Sequence, residues 1–129
     1  MAIYYLAISL LIAHELDAVT HSEWRLLFVL RDLPEATAVH TFALVHVPLV
    51  FATLWFSHHS NASVRDRTKL GVSIFLVVHA GLHFALSGTP QYDFDGLLSR
   101  GLILGSALFG ALYVVLRFSR AFDQGARES

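Results

Sequence analysis

Four apolar stretches separated by short polar connections constrain this chain more than any other feature. They cover residues 2–20, 36–57, 70–87 and 97–117, and each approaches the roughly 20 residues that a helix needs to cross a hydrocarbon core about 30 Å thick. Hydrophobic residues make up 55% of the chain and charged residues 15%, which is too apolar for an ordinary soluble domain. The pattern predicts a single all-α domain, residues 1–129, folded as an integral membrane four-helix bundle. An apolar soluble bundle is the alternative.

The distribution of basic residues predicts how the four spans are oriented. Six of them fall on the side that carries both termini, namely Arg65, Arg67, Lys69, Arg117, Arg120 and Arg127. The opposite side receives three, namely Arg25, Arg31 and Arg100. Because Lys and Arg concentrate in cytoplasmic connections, we expect both termini in the cytoplasm. The first connection holds Trp24 and an apolar run ahead of Pro34, and we expect it to form a short interfacial helix or to continue the first span.

Histidines and carboxylates inside the apolar stretches are the strongest functional signal. His14, Asp17 and His21 are spaced i, i+3 and i+7, so they share one face of a helix. His79 and His83 are spaced i, i+4 and form a second pair on one face. With the four spans in up-and-down order, the histidines of the first three fall at overlapping depths, and ionisable groups at such depths usually mark function. We therefore expect one shared metal site, with the ligands His14, Asp17, His21, His46, His79 and His83.

The absence of cysteine limits the chemistry of that site. Without thiolates, imidazole and carboxylate ligands suit zinc or iron, and we expect one or two divalent ions. Glu15 and Glu23 are candidate catalytic groups for proton transfer beside the metal. The leading hypothesis is a metal-dependent membrane enzyme, a zinc hydrolase or an iron oxidoreductase, acting on a lipid-like or other apolar substrate. The alternatives are a b-type haem protein that transfers electrons, a metal or proton transporter, and a structural or proton-relay network.

Two further features bear on partners. The net charge of −1 gives no basic footprint for nucleic acid. The fourth span carries Gly101-x-x-x-Gly105, a spacing of small residues that permits close helix approach. We expect this face to pack inside the bundle or to form a homodimer.

Several short motifs resemble a family of small uncharacterised bacterial membrane proteins with four spans. These motifs are HELDA at 14–18, HSEWR at 21–25, VHVP at 45–48, His79-x-x-x-His83 and PQY at 90–92. The resemblance implies a bacterial inner-membrane location and importance for the polar residues, and it names no reaction. The chain also distantly resembles membrane proteins with a His-x-x-Glu-Glu motif, although Asp17 and Ala18 stand at the last two positions.

Overall fold

Four long helices and one short turn of 3-10 helix make up the part of the chain that the computed structural model describes. The elements are α1 (Ala2–Thr20), η1 (Glu23–Arg25), α2 (Glu35–Ser57), α3 (Ala62–Leu86) and α4 (Leu97–Glu128). The structure describes residues 2–128, with side chains through Ser119; Met1, Ser129 and the side chains of Arg120 and Arg127 lie outside this part. The described residues contain no strand, so the prediction of an all-α four-helix bundle is confirmed.

Each of the four helices is long and apolar enough to cross a membrane. In α4 the candidate span is Leu97–Ser119. Large apolar side chains are exposed along all four, among them Leu16, Leu44, Phe84 and Leu108. Such a surface is costly in water and favourable in lipid, which indicates an integral membrane protein.

The helices do not pack equally closely. The helix α4 lies against both α1 and α3, whereas α2 packs mainly on α3. Only 6% of the 18-residue apolar stretch of α2 is buried inside the protein, compared with 28% of the corresponding stretches of α1 and α3. The tight part of the bundle is therefore formed by α1, α3 and α4, and most of α2 faces outward.

A buried core closes one end of the bundle, here called the Glu23 end and formed by residues 21–34 and 87–96. Aromatic and small apolar side chains from four elements and two connections meet there, namely Ala18, Trp24, Leu30, Ala38, Phe42, Phe94 and Ile103. Trp24 packs on Phe42 with ring centroids 5.9 Å apart. The expected helix in the first connection is reduced to the three residues of η1, because Ser22 adopts a left-handed conformation with φ 55° and turns the chain back toward the bundle.

The helix α3 begins at Ala62 rather than at residue 70. The Asn61 side chain caps it by accepting hydrogen bonds from the backbone N–H groups of Ser63 at 2.9 Å and Val64 at 3.4 Å. Lys69 consequently belongs to the helix; it is 2% exposed, and its Nζ lies 5.5 Å from the Tyr4 ring centroid. We call this opposite end of the bundle the Lys69 end.

The charges of α3 and α4 meet at the Lys69 end. Arg117 donates a hydrogen bond to Asp66 at 3.1 Å. It therefore shares one end of the bundle with Arg65, Arg67 and Lys69, which lie in the first turns of α3 and not in the second connection. This arrangement agrees with the side assigned to them above, and the cytoplasmic location of both termini remains a prediction.

Small residues let α4 approach its neighbours. A Cβ on Gly105 would lie 3.2 Å from Cδ1 of Leu10 in α1, and a Cβ on Gly110 would lie 2.8 Å from the Ser73 carbonyl oxygen in α3. Around Gly101 the same atom would meet open space. Gly105 is thus engaged within the bundle, whereas Gly101 faces outward; a homodimer through this face remains a prediction.

We predict that Gly110→Ala destabilises the protein by about 1–3 kcal/mol, because the added methyl group overpacks the α3–α4 contact. Gly101→Ala is the matched control: it makes the same change in the same helix, where space is open, and should be neutral or stabilising by up to about 1 kcal/mol. Thermal unfolding in detergent micelles measures both. Equal unfolding temperatures for the two variants would contradict the close packing at Gly110.

Candidate metal centre

Three histidines and one glutamate converge inside the bundle. They are His14 of α1, Glu23 of η1, and His79 and His83 of α3, and one ligand atom from each lies within 4.8 Å of all the others. Glu23 Oε2 is 3.4 Å from His14 Nε2. Its other oxygen, Oε1, is 3.7 Å from His79 Nε2 and 3.6 Å from His83 Nε2. We call these four residues the His3Glu cluster.

Helix geometry and one chain reversal position the four side chains. His79 and His83 are one turn apart on α3, and their ring centroids lie 4.7 Å apart. His14 faces them edge-on from α1, at 5.1 Å and 5.0 Å. Glu23 follows the left-handed residue Ser22, where the chain reverses after α1. Its carboxylate therefore lies close to the histidines of α1 and α3.

The charge of Glu23 is balanced by the imidazoles around it. Burial disfavours the ionised carboxylate and would by itself raise its pKa. The imidazoles of His14, His79 and His83, which lie 3.4–3.7 Å from the carboxylate oxygens, outweigh that effect and hold the pKa of Glu23 below its usual range. The cluster therefore contains an ionised carboxylate facing three imidazoles.

The polar atoms of the cluster lack partners that would satisfy them. Among the described residues, both ring nitrogens of His14, Oε2 of Glu23, and Nδ1 of His79 and of His83 are buried without a hydrogen bond. Buried polar atoms are normally paired, because leaving one unpaired costs about 1–3 kcal/mol. An ion bound through the Nε2 atoms would satisfy Nε2 of His14 and Oε2 of Glu23, and would leave the three Nδ1 atoms unpaired.

The spacing of the donor atoms suits a single metal ion. Zinc–nitrogen bonds are about 2.0–2.1 Å long, so neighbouring ligand atoms of a tetrahedral site lie about 3.3–3.4 Å apart. The three oxygen–nitrogen distances in the cluster are 3.4, 3.6 and 3.7 Å. These distances involve both carboxylate oxygens; with one donor atom from each residue, all four lie within 4.8 Å of one another. The residues present could hold a divalent ion if the donors move closer together.

Aromatic side chains of the α3–α4 connection cover the cluster at the Glu23 end of the bundle. Phe94 is 0% exposed, and its ring lies 5.6 Å from His14 and 4.9 Å from His83. Tyr92 packs on both His83 and Phe94, and burial raises the pKa of its hydroxyl, with a smaller contribution from Asp95. No sequence pattern singled out Phe94; its position between Asp93 and Asp95, two residues after Tyr92, was the available signal.

His46 lies outside the His3Glu cluster and pairs with Glu15. Its Nε2 is 2.8 Å from Glu15 Oε2, and its Nδ1 is 2.7 Å from the Phe42 carbonyl oxygen. Both ring nitrogens are therefore already engaged. We call these two residues the Glu15–His46 pair.

Asp17 and His21 form another polar group near the Glu23 end. His21 Nε2 lies 3.4 Å from Asp17 Oδ1 and 3.3 Å from Ser99 Oγ, and its Nδ1 lies 3.7 Å from Asp93 Oδ2. The His21 ring packs edge-on against Phe94 at 5.3 Å. Phe94 thus contacts both His21 and the His3Glu cluster.

Of the six metal ligands predicted from sequence, the structure brings three together: His14, His79 and His83. Glu23, which was predicted as a proton-transfer group, joins these three histidines as the carboxylate of the cluster, in place of Asp17. Asp17, His21 and His46 lie in the two separate polar groups just described. Helical spacing could not reveal this arrangement, because it does not show that the chain reverses at Ser22.

We predict that Phe94→Ala opens the cluster to water-soluble reagents. Diethyl pyrocarbonate modifies accessible imidazoles, so His14 and His83 should react slowly in the native protein and at least about tenfold faster in the variant, which loses a buried aromatic ring. Phe94→Leu keeps an apolar cap and serves as the control, and His58, which is exposed, is the internal reference. Equal protection of His14 in all three proteins would show that Phe94 does not close the site.

The comparisons with known proteins bear on the family of the chain. No curated protein and no solved structure matches it. A family model described as a family of unknown function, DUF6713, matches residues 1–120. The match includes α1, η1, α2, α3 and the candidate span of α4, and with them every residue of the His3Glu cluster. The chain therefore belongs to the DUF6713 family.

Proposed function

We propose that this protein is a metal-dependent integral membrane enzyme, in which the His3Glu cluster holds one divalent ion and an apolar, lipid-like molecule is the substrate. One observation carries the proposal: four buried donors from three elements lie within 4.8 Å of one another. Ionisable groups are expensive at this position in a membrane bundle and are usually retained for function. A purely structural role would not leave Nε2 of His14 and Oε2 of Glu23 buried without a hydrogen bond.

The donor set favours zinc over iron. Three imidazoles and one carboxylate provide the four ligands that zinc takes in a tetrahedral site, whereas oxygen chemistry at iron needs further open positions. Catalysis at zinc also needs a position that substrate can occupy. Glu23 would be the ligand that substrate displaces most easily, because it comes from a three-residue turn, whereas the imidazoles come from long helices. When bound, the ion would supply Lewis-acid catalysis.

The Glu15–His46 pair supplies the proton transfer that such a reaction needs. Because a carbonyl oxygen only accepts, Nδ1 of His46 must donate its proton to Phe42. Nε2 then either accepts a proton from Glu15 or carries a second proton and donates it to Glu15. The 2.8 Å contact between His46 Nε2 and Glu15 Oε2 is short enough for a proton to pass between the two groups, as general acid–base catalysis requires.

The surroundings of the cluster favour an apolar substrate. Phe94 and Tyr92 cover it on the side of the α3–α4 connection, whereas most of α2 faces outward. A molecule dissolved in the bilayer reaches the flank directly, whereas a water-soluble molecule must first pass the aromatic cap. The lipid bilayer is therefore the proposed source of substrate.

The packing of the rings favours a small ion over haem. The rings of His14, His79 and His83 lie 4.7–5.1 Å apart in edge-on contact. A porphyrin bound by two axial histidines needs a planar gap between them. The same close packing, beneath a closed aromatic cap, favours a retained ion over one that is transported.

We predict that protein purified without added metal or chelator contains close to one divalent ion per chain, and that His79→Ala lowers this content by at least about tenfold, because one of four ligands is lost. His40→Ala is the matched control, since His40 is an exposed histidine of α2. Elemental mass spectrometry gives the metal content, and an absorption spectrum tests for haem. Equal metal content in the two variants, or a strong Soret band, would contradict the proposal.

A second prediction separates catalysis from a structural metal site. Glu15→Gln should keep the metal and lower turnover by at least about 100-fold, the usual contribution of a general acid–base group. Turnover is measured by mass spectrometry of a bacterial lipid extract incubated with reconstituted protein. Glu35→Gln, which changes an exposed glutamate paired with Arg25, is the control. Metal-replete protein that changes no lipid, or full activity in Glu15→Gln, would overturn the enzymatic role of this pair.

A further inference from the structure

A groove runs between α1, α2 and α3 on the flank of the bundle. Its volume is about 340 Å³, within the range of about 300–1,000 Å³ that is typical of small-molecule sites. Ile12 of α1, Leu49 and Val50 of α2, and Phe75 of α3 are among the residues that line it. All of its walls belong to the candidate membrane spans, so the groove opens toward lipid and not toward water.

The groove exists because α2 stands away from α1 and because one wall residue has no side chain. The helix α2 is the least buried of the four spans. On α3 the wall includes Gly71, where an added Cβ would meet no atom within 4 Å. A larger residue at this position would project into the groove without a clash with the backbone.

One end of the groove is polar and lies beside the His3Glu cluster. Glu15 and His46 both line it, with side chains 23% and 28% exposed. Glu15 is close enough to interact electrostatically with His14 and His79, and the groove residue Phe75 stacks on the His79 ring at 5.5 Å. The groove therefore leads from the lipid-facing flank to the border of the cluster.

The direction of the groove follows from its lining. From Ile8 to Glu15 on α1, the wall advances toward the Glu23 end by about 10 Å at 1.5 Å per residue. On α2 it runs from Leu54 to His46 in the same direction, because that helix is antiparallel to α1. A molecule that matches this surface has an extended apolar part toward the Lys69 end and a polar part at mid-bundle.

We propose that the groove binds a single-chain amphiphile from the bilayer, with its hydrocarbon chain along α1, α2 and α3 and its oxygen-bearing head group at the Glu15–His46 pair. The apolar walls accept an alkyl chain, and the pair can donate to or accept from a carbonyl, carboxyl or hydroxyl oxygen. The identification of this amphiphile as substrate rests on the proposed function. The proposal that this amphiphile binds in the groove does not rest on that function, because no residue of the His3Glu cluster lines the groove.

Photolabelling with a long-chain fatty acid that carries a diazirine near its methyl end tests the proposal. The intact protein is reconstituted in phosphatidylcholine vesicles, labelled, digested and mapped by mass spectrometry. We expect labels concentrated on the apolar walls of the groove, around Ile8, Leu54 and Val72, and competition by unlabelled fatty acid. In Gly71→Leu the groove label should fall by about tenfold, because the new side chain fills volume that the alkyl chain occupies.

Gly81→Leu is the matched control, because it makes the same change on the same helix, also in open space, but outside the groove lining. Both variants should keep the fold and the metal content of the unchanged protein. Label spread evenly over the lipid-facing helices, or equal labelling of the groove in the two variants, would overturn the proposal. Groove labelling in a protein that contains no metal would refute the proposed metal centre while leaving the amphiphile site intact.

Discussion

The contact between one carboxylate and three imidazoles inside an apolar bundle is the interaction on which the rest of this structure depends. Burying an ionised group costs several kcal/mol unless it is paired, and Glu23 is paired with His14, His79 and His83 at 3.4–3.7 Å. The contact also joins α1 to α3 through η1. Loss of any one partner would leave the others buried in surroundings that offer little other stabilisation.

This contact is maintained by packing at the Glu23 end. The left-handed conformation of Ser22 is uncommon for a residue with a side chain, and the surrounding core compensates for its cost. Trp24 follows Glu23 directly and is held against Phe42, while Phe94 covers the cluster from the α3–α4 connection. The polar site and the apolar core therefore depend on each other, since the same short turn carries Glu23 and Trp24.

The bundle divides into a tightly packed part and a loosely packed helix. Small residues bring α4 against α1 and α3, and this packing fixes two of the elements that carry the His3Glu cluster. The helix α2 contributes little burial and supplies His46 to the Glu15–His46 pair at the end of the lipid-facing groove. Such a division would hold the three imidazoles of the proposed metal site firmly, while the proposed substrate side stays accessible from the membrane.

The sequence by itself determined the number and type of the helices and the residue types of the site. Runs of apolar residues of membrane-spanning length depend only on local composition, and the i, i+4 spacing of His79 and His83 fixes their shared face. The long-range pairing was decided by tertiary structure. Helical spacing placed Asp17 with His14, but the chain reverses at Ser22 and Glu23 joins His14 instead. His46 of α2 contacts Glu15 of α1 rather than the His3Glu cluster. Spacing along one helix reports a face, whereas the choice of partner depends on turns and helix packing that join residues distant in the chain.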